Sequence, residues 1–320
     1  MVIRDMFPIN NPIVVLIGPT AIGKTSLSIE LAKKFDFEII SVDSMQVYRY
    51  MDIGTAKITE EEMEGVPHHL ISVVNPDETF NAGLFEKMAI KAINEIVGRG
   101  KNVLLTGGTG LYLSALLNGL LKNIPVFPEI RKEIERELKI NGANALHEEL
   151  CTVDCISANR IHPNDSHRLV RALEIYKGTN RTWSSFIEEH RLEKKLRFSN
   201  ILNIGLRCER DKLYNRIDRR SKIMLQNGLQ DEVIGLLEMG YSAELKSLQA
   251  IGYSHMLKFI QGEWTKAELF EKLTRDTRRY AKRQFTWFNK INGIDWVEKE
   301  NFDSVKEKIF QFYKNVNTAG

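Results

Sequence analysis

The chain has 320 residues, of which 43% are hydrophobic, and a formal net charge of +3. This composition is enough for ordinary packed cores, the length predicts roughly two domains, and the mild positive charge permits a nucleic-acid partner without requiring one. Three cysteines without a C-x2-C pair argue against a disulfide framework and a zinc ribbon, and no early apolar run is long enough to span a membrane, so we expect a cytoplasmic protein.

The first strong feature is an apolar run, Ile13–Ile17, followed by a glycine-rich segment. The run has the length of a buried strand. The segment fits the pattern G-x-x-x-x-G-K-[ST] at every fixed position, and it reads Gly18, Pro19, Thr20, Ala21, Ile22, Gly23, Lys24, Thr25. In this pattern backbone N–H groups at a helix start surround a phosphate chain, while the lysine contacts phosphate oxygens and the hydroxyl suits magnesium. The pattern predicts a phosphate-chain site and leaves open whose phosphates it binds.

Two further strands are predicted to end near this loop. Asp43 follows a buried strand that begins at Phe37, so it should lie at the sheet edge where α/β proteins bind ligands. The next strand starts at Lys101 and ends in Thr106 and a glycine-rich turn, Gly107–Gly110. P-loop ATPases often have a magnesium-holding Asp at such a strand end. Its absence here weakens the prediction of a kinase.

The remaining pattern is mostly helical. Before Asn118, a helix is predicted at 80–97, and an acidic helix start at 59–64. A helical stretch without a convincing strand follows, with helices at 129–139, 145–151, 166–176 and 183–190. After a strand at 201–206, helices are predicted at 211–226, 230–239, 247–260 and from the capping box of Thr265 and Glu268 to about Asn289. We predict an α/β fold with a P-loop NTPase-like parallel sheet flanked by helices, formed by 1–118 and 199–320, and an all-helical insertion domain, 119–198.

The last predicted helix is the most basic in the chain. Arg275, Arg279 and Arg283 are spaced four apart and form one stripe. Such a stripe is typical of contact with a phosphate backbone, and the alternative is a solvated basic face. Three hypotheses therefore remain from the residues alone: a P-loop kinase, an enzyme that binds a diphosphate leaving group and acts on nucleic acid, and a non-catalytic nucleotide switch or nucleic-acid-binding module. Asp43 argues against the third, because a carboxylate beside phosphates is costly unless it holds metal or moves a proton.

A set of short motifs resembles the bacterial tRNA dimethylallyltransferases nearly from end to end. The shared segments are Gly18–Thr25, Ser41–Tyr48, Met51–Lys57, Gly107–Thr109, Arg160–Asp165, Arg171–Glu174, Gly252–Tyr253 and Ala281–Trp287. Each is short, but their order and joint presence are highly specific. The chain departs from the family at His167, where a glutamine is common, and it lacks the zinc finger of many eukaryotic relatives.

The resemblance implies transfer of a dimethylallyl group from dimethylallyl diphosphate to the exocyclic amine of the adenosine 3′ to the anticodon, in tRNAs that read codons beginning with U. The products would be N6-isopentenyladenosine and diphosphate. It implies that the P-loop and Arg220 hold the diphosphate, that Thr25 helps coordinate Mg2+, that Asp43 is the general base and that Thr109 lies at the prenyl-transfer channel. A P-loop small-molecule or nucleotide kinase, binding ATP, is the alternative.

The resemblance also implies a monomer without membrane association and a set of residues that contact the tRNA anticodon stem-loop. These residues are Asp43, Ser44, Met45, Gln46, Arg131, His167, Arg168, Leu169, Val170, Arg171, Gln249, Ala250, Ile251, Gly252, Tyr253 and Ser254.

Overall fold

The structure is a computed structural model that describes residues 8–121, 124–193 and 196–319. The chain divides into two compact units, one formed by Met1–Asn118 with Arg197–Gly320 and the other by Gly119–Leu196. Within the described residues, no helix combines the length and the apolar character needed to cross a membrane.

The first unit is built on a parallel six-stranded sheet with the strand order β3-β2-β4-β1-β5-β6. The strands are β1 (Ile13–Ile17), β2 (Phe37–Val42), β3 (His68–His69), β4 (Asn102–Gly107), β5 (Ile201–Arg207) and β6 (Ile294–Glu298). The helices of the chain are α1 (Lys24–Phe35), α2 (Glu60–Met63), α3 (Ala82–Gly98), α4 (Gly110–Asn118), α5 (Pro128–Val153), α6 (Cys155–Arg160), α7 (Ser166–Thr179), α8 (Trp183–Leu192), α9 (Arg210–Gln226), α10 (Leu229–Glu238), α11 (Tyr253–Ile260), α12 (Lys266–Phe288) and α13 (Phe302–Ala319).

Helices cover both faces of the central strands, which explains why β1 and β2 are apolar or buried at every position. Successive side chains of a strand point to opposite faces. In β1, Val15 packs in a core cluster with residues of α3, α4 and α10, whereas Val14 and Leu16 pack in the other cluster with residues of α1 and α9. The two cores fix β1, β2 and β4 in parallel, so their carboxyl ends meet at one edge of the sheet.

The predicted α/β class and the central parallel strands are confirmed. The helix predicted at 247–260 is wrong in its first part, because α11 begins at Tyr253. The preceding residues form turns in which the Ser247 hydroxyl donates to the Pro76 carbonyl oxygen at 2.6 Å. The elements that were not predicted include the two-residue strand β3, α6, the edge strand β6 and the terminal helix α13. The return to the first unit comes at Arg197, two residues before the predicted boundary.

The second unit is helical and has a small core of its own. Its α5 is interrupted at Gly142, whose φ of 78° is outside the helical region, and this matches the break predicted between 139 and 145. The carboxylate of the buried Asp154 accepts hydrogen bonds from the backbone N–H groups of Ser157 (3.0 Å) and Ser184 (2.9 Å). Asp154 therefore satisfies backbone groups at the start of both α6 and α8.

Candidate active site

The phosphate loop connects β1 to α1, as its sequence predicts, and its lysine is already engaged. The Lys24 ammonium donates to the carbonyl oxygens of Gly18 and Pro19, both at 2.9 Å. Burial lowers the pKa of Lys24 to about 7, a shift that the negative charge of Asp43 opposes and the positive charge of Arg220 supports. A bound anion would supply the negative charge that these neutral carbonyl groups lack, so the loop is arranged to take a phosphate group.

Arg220 reaches the same loop from α9. Its guanidinium donates to the Thr20 hydroxyl at 3.0 Å and to the Thr55 carbonyl oxygen at 3.3 Å. Burial lowers the pKa of Arg220, and the charge of Asp43 opposes this shift. The neighbouring Arg216 donates to the Ala21 carbonyl oxygen at 2.6 Å. Two arginines of one helix thus hold the phosphate loop, and among the described residues the hydrogen bonds of the Arg220 guanidinium go to neutral oxygens.

Asp43 lies directly after β2, at the sheet edge where the sequence predicts it. Its Oδ1 accepts hydrogen bonds from the backbone N–H groups of Met45 (2.8 Å) and Gln46 (3.2 Å). Both bonds go to the same oxygen, and Oδ2 takes part in neither. The carboxylate is therefore oriented by its own turn, which a positioned general base requires.

Thr109 lies beside Asp43, across from the turn that follows it. Its hydroxyl accepts from the Ser44 backbone N–H at 3.1 Å, and the N–H groups of Gly108 and Thr109 donate to the Val42 carbonyl oxygen at 3.2 and 3.1 Å. The glycine-rich turn after β4 is thus joined to the end of β2. The two loops form a continuous wall beside the phosphate loop.

Two residues of α12 complete this wall, and sequence reasoning gave them no role. The buried Gln284 accepts from the Thr20 backbone N–H at 2.8 Å through Oε1 and donates to the Gly108 carbonyl oxygen at 3.0 Å through Nε2. Burial, aided by the charge of Asp43, raises the pKa of Tyr280 to about 12, while hydrogen bonding to Thr109 and Gln284 opposes the rise. Gln284 lies within the motif Ala281–Trp287, and Tyr280 directly precedes it. The motif marked this segment as characteristic of the family, but only the fold shows which residues these two side chains contact.

These groups surround one cavity of about 1030 Å³. Its lining includes the predicted residues Thr20, Ala21, Gly23, Lys24, Thr25, Asp43, Ser44, Met45, Gln46, Arg220, Gln249, Ala250, Ile251 and Tyr253. Two segments predicted to contact tRNA, 43–46 and 249–251, are therefore brought to the same cavity as the phosphate loop. The described residues contain no group of three or more His, Cys, Asp or Glu side chains that could hold a metal ion.

Within the segment 249–254, three residues do not fit the predicted RNA contact through their side chains. Tyr253 is fully buried, and its hydroxyl donates to the Glu232 carboxylate at 2.6 Å. Gly252 is buried and offers no side chain, while the Ser254 hydroxyl donates to the Ala250 carbonyl oxygen at 3.0 Å. The side chain of Tyr253 therefore has a structural role: it packs in the protein interior and donates to Glu232.

In the helical unit, the predicted tRNA-contacting residues of α7 fall into two groups. His167 and Arg168 are exposed, and their contact with RNA stays a prediction. Leu169 and Val170 are buried in the core of the unit, so their side chains are not available to RNA in this structure. Leu169 and Val170 lie on the apolar face of α7, together with Ala172 and Leu173 of the same core.

The two other arginines predicted to contact tRNA, Arg131 and Arg171, are bound to a carboxylate inside the unit. Glu174 is fully buried and contacts the Arg131 guanidinium at 2.7 Å and that of Arg171 at 3.0 Å. Burial alone would raise the pKa of Glu174, but the Phe127 N–H and the two arginines bring it below its usual value. Both arginines thus have a structural role, whatever their role toward RNA.

The basic stripe of α12 is exposed at all three positions, but its charges are not equivalent. Arg275 and Arg279 form ion pairs with Asp276, at 2.9 and 3.2 Å. Arg283 lies over the ring of Tyr280, with 5.7 Å between guanidinium carbon and ring centroid, and lines the cavity. Only Arg283 therefore connects the stripe to the site.

The parallel sheet, the glycine-rich loop after β1 and the carboxylate at the sheet edge define an α/β protein with a P-loop-like fold. The model of the family described as IPP transferase matches residues 46–291. A tRNA dimethylallyltransferase from Desulfotalea psychrophila is 49% identical, over 97% of this chain and 98% of that protein. The chain belongs to the IPP transferase family.

Two solved structures are similar throughout. The full-length tRNA isopentenylpyrophosphate transferase of Bacillus halodurans is 40% identical, with a TM-score of 0.68, over 95% of this chain and 99% of that one. A eukaryotic dimethylallyltransferase acting on tRNA is 30% identical, with a TM-score of 0.77, over 94% of this chain and 77% of that one. The family and the fold thus agree with the resemblance found in the sequence motifs.

Proposed function

We infer that the chain is a transferase that modifies tRNA by moving a dimethylallyl group from dimethylallyl diphosphate to the exocyclic amine of an adenosine. The observation that carries this inference is the cavity in which Lys24 and Arg220 lie near the oriented carboxylate of Asp43, while their hydrogen bonds within the described part of the chain go to neutral oxygens. The two cations suit a departing diphosphate, and the nearby carboxylate suits a proton acceptor.

The reaction we propose breaks the bond between C1 of the prenyl group and the diphosphate oxygen. The electron pair leaves with the diphosphate, whose charge Lys24 and Arg220 would neutralise. The adenine nitrogen forms the new bond to C1, and its proton passes to the carboxylate of Asp43. An aromatic amine is a poor nucleophile, so a base held by the Met45 and Gln46 N–H groups would assist it.

Magnesium fits this arrangement as a partner of the diphosphate. Magnesium commonly keeps several waters and takes few protein ligands beside phosphate oxygens. Thr25, exposed in the first turn of α1, would provide a hydroxyl ligand. When bound, the metal would add positive charge against the diphosphate.

For the acceptor, we propose the adenosine 3′ to the anticodon in tRNAs that read codons beginning with U. An adenine in an anticodon loop must leave its stack to enter a cavity with a buried reaction centre. Asp43, Ser44, Met45 and Gln46 line that cavity beside Thr109, where the amine and the prenyl group would meet. We further propose that the protein acts as a cytoplasmic monomer.

The test is transfer of a labelled prenyl group from dimethylallyl diphosphate to an anticodon stem-loop, with ATP as the competing donor. We expect label on the target adenosine, equimolar diphosphate release, and protection of the phosphate loop by pyrophosphate better than by ATP. Magnesium-dependent ATP hydrolysis without response to the prenyl donor would instead assign the site to a kinase. A stem-loop with guanosine in place of the target adenosine is the matched control.

A further inference from the structure

A carboxylate outside the reaction centre is enclosed by backbone N–H groups. Glu232, on α10, accepts from three consecutive residues: Asp52 (2.9 Å) and Ile53 (2.6 Å) through Oε2, and Gly54 (3.0 Å) through Oε1. Its Oε1 also accepts from the Tyr253 hydroxyl at 2.6 Å. Successive N–H groups that converge in this way form an anion-binding concavity, and here the anion is the protein's own side chain.

The loop that Glu232 holds, 52–55, is part of the cavity wall. Its last residue, Thr55, provides the carbonyl oxygen that accepts from Arg220 at 3.3 Å. The ring of Tyr253 packs directly on Gly54, where a Cβ would lie 2.4 Å from a ring carbon. The loop is thus fixed by three hydrogen bonds to the Glu232 carboxylate and by contact with the buried ring of Tyr253, whose hydroxyl donates to the same carboxylate.

We propose that Glu232 is a positioning residue that acts through Arg220, and this proposal rests on the function inferred above. Held by Glu232, the loop presents the Thr55 carbonyl oxygen on one side of the Arg220 guanidinium, and the Thr20 hydroxyl lies on the other. These two anchors set the direction of the guanidinium before the diphosphate arrives. Preorganised charge of this kind avoids reorganisation when negative charge develops on a leaving group.

The substitution Glu232→Gln tests the arrangement without changing its size. A glutamine has one acceptor oxygen and one NH2 donor in place of two acceptor oxygens. Whichever way the amide is turned, its NH2 faces at least one backbone N–H of the loop, which then loses its acceptor. We expect the loop to loosen and the Thr55 anchor of Arg220 to weaken. Glu238→Gln removes an exposed carboxylate from the same helix and is the matched control.

The experiment is a double-mutant cycle read by pyrophosphate binding, beside single-turnover prenyl transfer and a melting curve. We expect Glu232→Gln to weaken pyrophosphate binding and slow transfer by roughly 5- to 30-fold. In an Arg220→Gln background the same change should have almost no further effect on pyrophosphate affinity, because its target is gone. Glu238→Gln should resemble the parent protein in all three readouts.

Additive effects of Glu232→Gln and Arg220→Gln on affinity would overturn the proposal. So would a lower melting temperature with unchanged affinity and unchanged transfer per folded molecule, since that is the result of a purely structural clamp. If the parent protein transferred no prenyl group at all, the proposed function would fail. The coupling of Glu232 and Arg220 in pyrophosphate binding would still be measured.

Discussion

Charged side chains are held differently in the two units. In the helical unit, the buried Glu174 is matched by two arginines and the Phe127 N–H, which donates at 2.9 Å. In the sheet unit, the Lys24 ammonium donates to neutral carbonyl oxygens, and its pKa is depressed to about 7. In the first cluster the carboxylate is in direct ion pairs with both arginines and stabilises its core. In the second, the hydrogen bonds of Lys24 and Arg220 within the described residues go to neutral oxygens, which leaves the two cations able to contact a bound anion.

The largest effect should come from Asp43→Asn. Asparagine has nearly the same size and keeps an oxygen for the Met45 and Gln46 N–H groups, but it cannot accept the amine proton. We expect near-normal binding of both substrates and a turnover lower by roughly 10²- to 10⁴-fold, the usual share of general-base catalysis. Single-turnover prenylation of the stem-loop, beside a melting curve, measures this.

Other results for Asp43→Asn would assign the residue differently. Lost stability with activity preserved per folded molecule would make it structural. Rescue by excess magnesium, or a changed metal preference, would make it a metal ligand. A rate near that of the parent protein would remove the base assignment and leave the fold and the family intact.

Substitutions in the ion-paired cluster around Glu174 should lower the stability of the protein without changing the reaction chemistry. Glu174→Gln removes the buried charge that matches Arg131 and Arg171, and breaking a buried pair in this way costs about 3 kcal/mol. We expect a lower unfolding free energy, measured by denaturant melts with exposed Glu133→Gln as the control. Because the folded-state pKa of Glu174 lies below its usual value, its stabilisation is present above the unfolded pKa and is lost as the pH falls through the folded pKa. A variant as stable as the control would contradict the comparison.

Lys24 should make diphosphate binding dependent on pH. In the protein without a ligand, the pKa of Lys24 is about 7, so the side chain loses its charge as the pH rises above neutrality. A bound diphosphate would favour the charged form. Affinity should therefore fall between pH 7 and 9, by up to about tenfold per unit, with proton uptake on binding. Calorimetry of pyrophosphate binding measures both quantities. The variant Lys24→Arg stays charged and should lack this dependence. Equal profiles for the two proteins would argue against a depressed lysine.

The smallest effects are expected from the basic stripe. Charge reversal at Arg283, which lines the cavity, should weaken tRNA binding. It should also reduce the slope of log affinity against log salt concentration by about one. Reversal at Arg275, already paired with Asp276, should do less. Binding titrations at several salt concentrations compare them. An unchanged salt slope in both variants would make the stripe a solvated face.

The parts that sequence reasoning predicted are those with local causes. The phosphate loop, the strand before Asp43 and the capping box of Thr265 with Glu268 depend on residues within a few positions of each other. The motif resemblance added Arg220, which lines the cavity, and Thr109, whose hydroxyl accepts from the N–H of the cavity residue Ser44. Their exact roles in the reaction stay predictions.

The parts that it missed depend on contacts between distant segments. Gln284 lies 264 residues from its partner Thr20, and Glu232 lies about 180 residues from the loop that it holds. No spacing rule connects such pairs. The strand β6 lies at the sheet edge with only Val297 buried, so it lacks the apolar run of a central strand. Arg131 shows the reverse case, since a basic residue predicted for RNA is already engaged by Glu174.

A crystal structure of the protein with pyrophosphate bound tests the central claim most directly. We expect the Lys24 ammonium to have left the carbonyl oxygens of Gly18 and Pro19 for phosphate oxygens, with Arg220 also contacting the anion. The contacts of Glu174 should be unchanged in the same crystal. An anion bound elsewhere, with Lys24 still donating to the two carbonyl groups, would contradict the claim that Lys24 and Arg220 bind the diphosphate.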